Sequence, residues 1–146
     1  MKFESGSVTI DLNGKTVDSK TNTIFHNAGG SITIRDSVGG GKTLQRVWGT
    51  TVIIEGGTHE GNVTADELTI TGGHFAYVAV TTGETATISG GSFERIRIFS
   101  GVGTLDVMLA DGYCFYDKDG NVVDTSTIQA VSAWYDLYNV TVGAIK

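Results

Sequence analysis

Arginine and aromatic side chains carry the most distinctive chemistry in this 146-residue chain. Arg46 and Trp48 stand two positions apart, as do Arg95 and Arg97, and Tyr77 lies between the pairs. Positions two apart on a strand share a face. A guanidinium beside an aromatic ring can stack on a sugar, hold a carboxylated glycan or anchor a protein interface. Only ten residues are basic and the net charge is −6, so these five form the candidate ligand-binding set. In the plainer alternative, Tyr77 and Trp48 shield apolar core while the arginines are merely solvated.

Other candidates fall short of their chemistry. His59, His74 and Glu60 suggest zinc, but a structural site needs four ligands and a catalytic one three plus water. His26, His59 and His74 are therefore expected as exposed turn residues, with no metal site and no cofactor. Asp11 and Glu55 share a face as a glycosidase pair would, yet Arg35 falls between them and makes an ion ladder the better reading. No Asp-Asp pair and no Gly-His-Gly occurs, so no enzymatic activity is expected. Gly39, Gly40, Gly41, Lys42 and Thr43 lack the first glycine of a phosphate loop and no helix follows; a flexible turn is expected. The run from Asp117 to Asn121 lacks the ligand spacing of a calcium loop. The acidic balance argues against nucleic acid, and no apolar run approaches the ~18 residues of a membrane span. Cys114 has no partner for an internal disulfide.

The elements that position these residues follow from repetition. Thr, Val and Ile make up about a third of the chain, Gly is abundant and Pro absent, a mixture that favours strands and tight turns. Six four-residue runs begin at Val8, Ile32, Val52, Leu68, Ala86 and Leu105, 16 to 24 residues apart. Three are followed by near-copies of one turn, Gly56-Gly57, Gly72-Gly73 and Gly90-Gly91. A second strand then follows at Val63, Val78 and Ile96. Stacked ~4.8 Å apart, these runs align two aliphatic ladders. One reads Val8, Ile32, Val52, Leu68, Ala86, Leu105; the other reads Ile10, Ile34, Ile54, Ile70, Ile88, Val107. The column between them, Thr9, Thr33, Ile53, Thr69, Thr87 and Asp106, suits an outer wall. Its single, interrupted threonine file is a poor ice-binding surface, and strand propensity accounts for it.

These residues give an all-β chain, a single-stranded parallel β-helix or β-solenoid of about six coils, with a C-terminal hairpin and capping segment. One domain spans 1–146, with coils over 6–110 and hairpin and cap over 111–146. The pattern resembles the right-handed parallel β-helix repeats of bacterial secreted and cell-surface, adhesin-like proteins. The likeness rests on residues 8–17, on the Ile70 to Phe75 and Ile88 to Phe93 pair, and on residues 109–121. It implies an extracellular or cell-surface location and excision from a larger repetitive protein, although this chain shows no signal peptide. It also implies a monomeric unit within that longer chain. The expected function is non-enzymatic adhesion to a host glycan or glycoprotein, such as a mucin, matrix protein or immunoglobulin, through a lateral face bearing Tyr77, Arg95 and Arg97. Arg46 and Trp48 would reach the same side from an insertion that follows Asp36. A rigid structural spacer is the alternative, and a polysaccharide-active fragment the third reading.

Residues 113–123 read as a hairpin turning at Asp119-Gly120. Residues 126–138 leave helix and strand both open: Ser126 to Gln129 fits a capping box, and Ile128, Val131, Trp134 or Tyr135, and Tyr138 recur at near-helical spacing. Tyr138 to Val142 alternates as a strand. The whole segment is expected to cover the open end of the solenoid.

Overall fold

A computed structural model describes residues 1–128 and 133–146. Its strands are β1 (Lys2–Phe3), β2 (Ser7–Asp11), β3 (Thr16–Val17), β4 (Thr23–Arg35), β5 (Lys42–Thr43), β6 (Arg46–Ile54), β7 (Thr58–Ile70), β8 (His74–Val80), β9 (Thr85–Ile88), β10 (Ser92–Phe99), β11 (Tyr113–Tyr116), β12 (Val122–Val123) and β13 (Trp134–Ala144). The molecule is an all-β parallel solenoid of about four turns rather than six.

Each turn contributes to three walls. The first stacks β2, residues 31–35 of β4, 51–54 of β6, 67–70 of β7, and β9. The second stacks β3, β5 and the opening residues of β7, β8 and β10. The third stacks β1, the first parts of β4 and β6, the middle of β7 and the ends of β8 and β10.

Register on the first wall is the one that strand alternation dictates. Val8, Ile32, Val52, Leu68 and Ala86 are successive partners, as are Ile10, Ile34, Ile54, Ile70 and Ile88. Ile34, Ile54, Ile70 and Ile88 are wholly buried, and each such side chain contributes about 1.5–3 kcal/mol by leaving water. Outside, Arg35 Nε meets Asp11 Oδ2 at 3.1 Å; no ion pair joins Arg35 to Glu55 among the described residues.

Stacking also explains the paired glycines. A Cβ on Gly90 would lie 2.2 Å from the Thr71 carbonyl oxygen, so the first glycine admits the neighbouring coil. The second glycine has φ of +109° at Gly73 and +99° at Gly91, where other residues are strained. Its carbonyl then accepts from the next coil, as in Ser92 N–H to Gly73 O at 2.9 Å.

The sixth run is not a strand. Leu105–Met108 forms a 3-10 turn, and the first-wall ladder ends in a bridge from Ile88 to Leu109. The backbone here bonds locally, Val107 N–H to Thr104 O and Leu109 N–H to Asp106 O, while Leu105 N–H donates to the Ile128 carbonyl. Residues three apart eclipse in this geometry, so Leu105 and Met108 are buried while Val107, expected inside, is 54% exposed.

The chain then reverses. β13 runs antiparallel to β10 from Ser92↔Thr141 to Phe99↔Trp134, closing the second and third walls. β11 joins its other edge and pairs with β12 in the expected hairpin. Asp117 Oδ1 accepts the Asp119 and Asn121 amides within that turn. Of the ambiguous segment, 134–138 is strand; the helix suggested around Gln129 and Val131 lies outside the described residues.

Candidate functional site

All five candidate residues lie on strands of the third wall. Arg46 and Trp48 belong to β6 itself, not to an inserted loop. The preceding loop is fixed by Asp36, whose carboxylate accepts the Gly14 and Gly41 amides at 2.8 and 2.7 Å. Those two amides hold that carboxyl below the ordinary aspartate value.

Two clusters result. Toward the cap, the Arg95 guanidinium lies 3.9 Å from the centroid of the Tyr77 ring, and the backbone partner of Arg95 on β13 is Tyr138. Among the described residues no carboxylate comes within ion-pair distance of Arg95. Arg97 is held otherwise. Its Nε and Nη2 donate to Asp136 Oδ1 and Oδ2 at 2.6 and 2.7 Å, and Trp134 lies 4.5 Å away. The two side chains are only 18% and 11% exposed. Hydrogen bonding from Arg97 keeps the Asp136 carboxyl low, and the Tyr138 hydroxyl, donating to Oδ2 at 3.0 Å, adds to this. Arg97 therefore fastens the cap strand to the last coil.

Toward the start of the wall, Trp48 packs against His26 at a tilt of 53°, with centroids 3.7 Å apart. Arg46 lies 5.4 Å from the indole centroid and donates to Thr64 Oγ1 at a long 3.4 Å. The rung that carries Asn62 and Thr64 separates this pair from Tyr77 and Arg95. The sequence reading missed Trp134, Asp136 and Tyr138, which β13 adds to the same outer face. Their signal is the alternation Trp134, Asp136, Tyr138 within one strand.

The histidines part company. His59, expected in an exposed turn, is wholly buried. Its partners are Thr43 and Phe75 on adjacent coils, and it stacks on the Phe75 ring with centroids 5.1 Å apart. Nε2 donates to the Gly56 carbonyl at 3.1 Å and Nδ1 accepts from the Thr43 hydroxyl at 2.8 Å, an arrangement that suits the neutral ring. Burial lowers its pKa to about 4. His74 points outward, bonded to Ser92 Oγ and Glu94 Oε1, so it and His59 face opposite sides of the wall. Among the described residues no three His, Cys, Asp or Glu side chains converge as a metal site would require.

Asp11 accepts amides from Ser37 and Asn13 and an Arg35 hydrogen bond. Chiefly through Ser37, its pKa falls to about 2. No family model, curated protein or solved structure matches the chain, so the geometry of the third wall carries the functional reading.

Proposed function

We propose that this solenoid is a non-enzymatic adhesion module of an extracellular, bacterial surface-type protein, and that it binds a glycan or glycoprotein through its third wall. The observation that carries this reading is the outward-facing Arg–aromatic file at the cap end, half-buried at Tyr77 and Arg95. Arg95 is stacked on Tyr77 beside Tyr138, with no carboxylate in ion-pair distance among the described residues; Tyr138 and, farther along β13, Trp134 are 57% and 51% exposed. Rigid aromatic surface and a pre-oriented guanidinium supply apolar contact and directional hydrogen bonding at low entropic cost. A mucin, matrix or immunoglobulin glycan offers the complementary hydroxyls and acidic groups.

A capture experiment tests this. The immobilised domain is exposed to mucus, serum and a glycan panel, and retained species are identified by mass spectrometry and array readout. Retention that Arg95→Ala combined with Tyr77→Ala abolishes is the expected result. Retention untouched by that double change removes the face from the proposal. An empty surface favours the second reading, a rigid spacer. That reading has its own support: among the described residues β2 pairs with β4 alone and β3 with β5 alone, which leaves a parallel edge of the kind that stacks end to end.

A further inference from the structure

We propose that the hollow at the start of the third wall is a subsite for a single acidic sugar residue, with its carboxylate or sulfate on Arg46 and its ring against Trp48. This rests on the adhesion reading above and assigns a ligand class to the part of the face that the Tyr77–Arg95 file does not reach.

The hollow measures about 290 Å³ and is lined by Met1, Lys2, Thr23, His26, Arg46 and Trp48. That size sits at the small end of ligand sites, suited to one ring and its anionic arm. Every ionisable side chain in the lining is basic or imidazole, in a protein whose net charge is −6. Lys2 is already paired with Glu4. Arg46 has no carboxylate within ion-pair distance among the described residues. Among the described residues it lies loosely over the indole and makes one long hydrogen bond, to Thr64, so its fork can turn to an anion with little lost.

A polar atom left over points the same way. His26 Nε2 and Asn62 Oδ1 are the buried side-chain atoms without a hydrogen-bond partner among the described residues. His26, the register partner of Trp48, lines the hollow, whereas Asn62 lies outside it on β7, beside Tyr77. Buried polar groups are normally satisfied, and a sugar hydroxyl both donates and accepts, so a ring seated here offers His26 Nε2 the partner it lacks. His26 fixes one side of the indole, while Trp48 remains 36% exposed, as a stacking platform must. A bare inorganic anion would use Arg46 and leave the platform idle.

Amide and side-chain NMR titrations of the whole chain test the proposal, with the Trp48 indole resonance assigned from Trp48→Phe. The probes are methyl glucuronide, glucose 6-sulfate, methyl glucoside and sodium sulfate. Saturable shifts at the Trp48 indole and Arg46 Nε are expected with one or both acidic sugars, at least tenfold tighter than with the glucoside. The two acidic probes separate a carboxylate ligand from a sulfate one. Arg46→Ala should weaken binding at least tenfold and Arg46→Lys by less, while the spectrum itself reports that each variant is folded. Equal binding of glucoside and glucuronide, indifference to Arg46→Ala, or sulfate binding as tightly as the sugars would each overturn the subsite. Shifts confined to Trp134 and Arg95 would overturn it and leave the adhesion face standing. If no probe shifts any resonance the subsite is refuted, whereas the adhesion reading stands or falls separately on the capture experiment.

Discussion

In the second wall the rings of His59, Phe75 and Phe93 point inward at 5.1 Å spacing. In the third wall Tyr77 and Arg95 are stacked just as closely and point outward. Phe75 and Tyr77 are two residues apart on one strand, yet one is fully buried and the other is not. Strand alternation would place both on one face. The corner between the walls breaks it: Phe75 and Val78 both point inward, as do Phe93 and Ile96, so one residue is spent on the bend. The position of the corner, more than residue type, decides whether a ring becomes core or surface.

Truncating one ring from each stack separates these roles most sharply. Phe75→Ala removes the middle of the inward stack and should cost about 3–5 kcal/mol. Tyr77→Ala, at a half-buried ring, should cost about 2 kcal/mol or less, the upper scale of a cation–π contact. Urea denaturation of both variants checks this, and equal losses would erase the distinction between the walls.

Acid sharpens the comparison next, because His59 is the one titratable member of the inward stack. Its folded pKa, about 4, lies below the ordinary 6.5, so as pH falls the unfolded chain takes up the proton first. Stability is then full above about pH 7, falls between 6.5 and 4, and levels off for this group below 4. The loss over that window is about 3 kcal/mol. His59→Phe, which continues the ring stack, should flatten the profile between pH 7 and 4. A profile as steep as the parent's would mean that another group titrates there.

How much of this was legible depends on what each residue leans on. The ladders through Val8 and Ile10 were readable because several coils repeat one alternation, and any slip would turn an entire aliphatic file to solvent. The run at Leu105 carries the same apolar spacing, but among the described residues no parallel coil pairs with it on the far side, and sequence alone does not reveal that. His59 was nearly legible: its equivalence to Phe75 follows from the repeated glycine turns, and only the polarity of imidazole argued for exposure. Three glycines interrupt the repeat before Arg46 and Trp48 and make the stretch read as an insertion, although Asp36 folds that interruption into a fixed turn. On the outer face, the Arg–aromatic spacing marked Tyr77 and Arg95. Asp136 stayed hidden because the segment around it satisfies helical and strand periods about equally.

The smallest contrast lies within the third wall itself, between two arginines two residues apart. Arg97 is partly buried and bidentate to Asp136. Asp136→Ala leaves that guanidinium without its counter-charge and loosens the cap strand, at a cost of about 2 kcal/mol, below the 3–5 of a fully buried pair because water still reaches the site. Arg95 has no such partner, so Arg95→Ala should move stability by no more than about 0.5–1 kcal/mol. Thermal or urea melts of the two single variants decide the matter. A large loss for Arg95→Ala would make it a second cap fastener, and the case for an outward-facing binding file would lose its central residue. A small loss together with impaired ligand capture is the combination expected of a guanidinium whose partner is outside the chain.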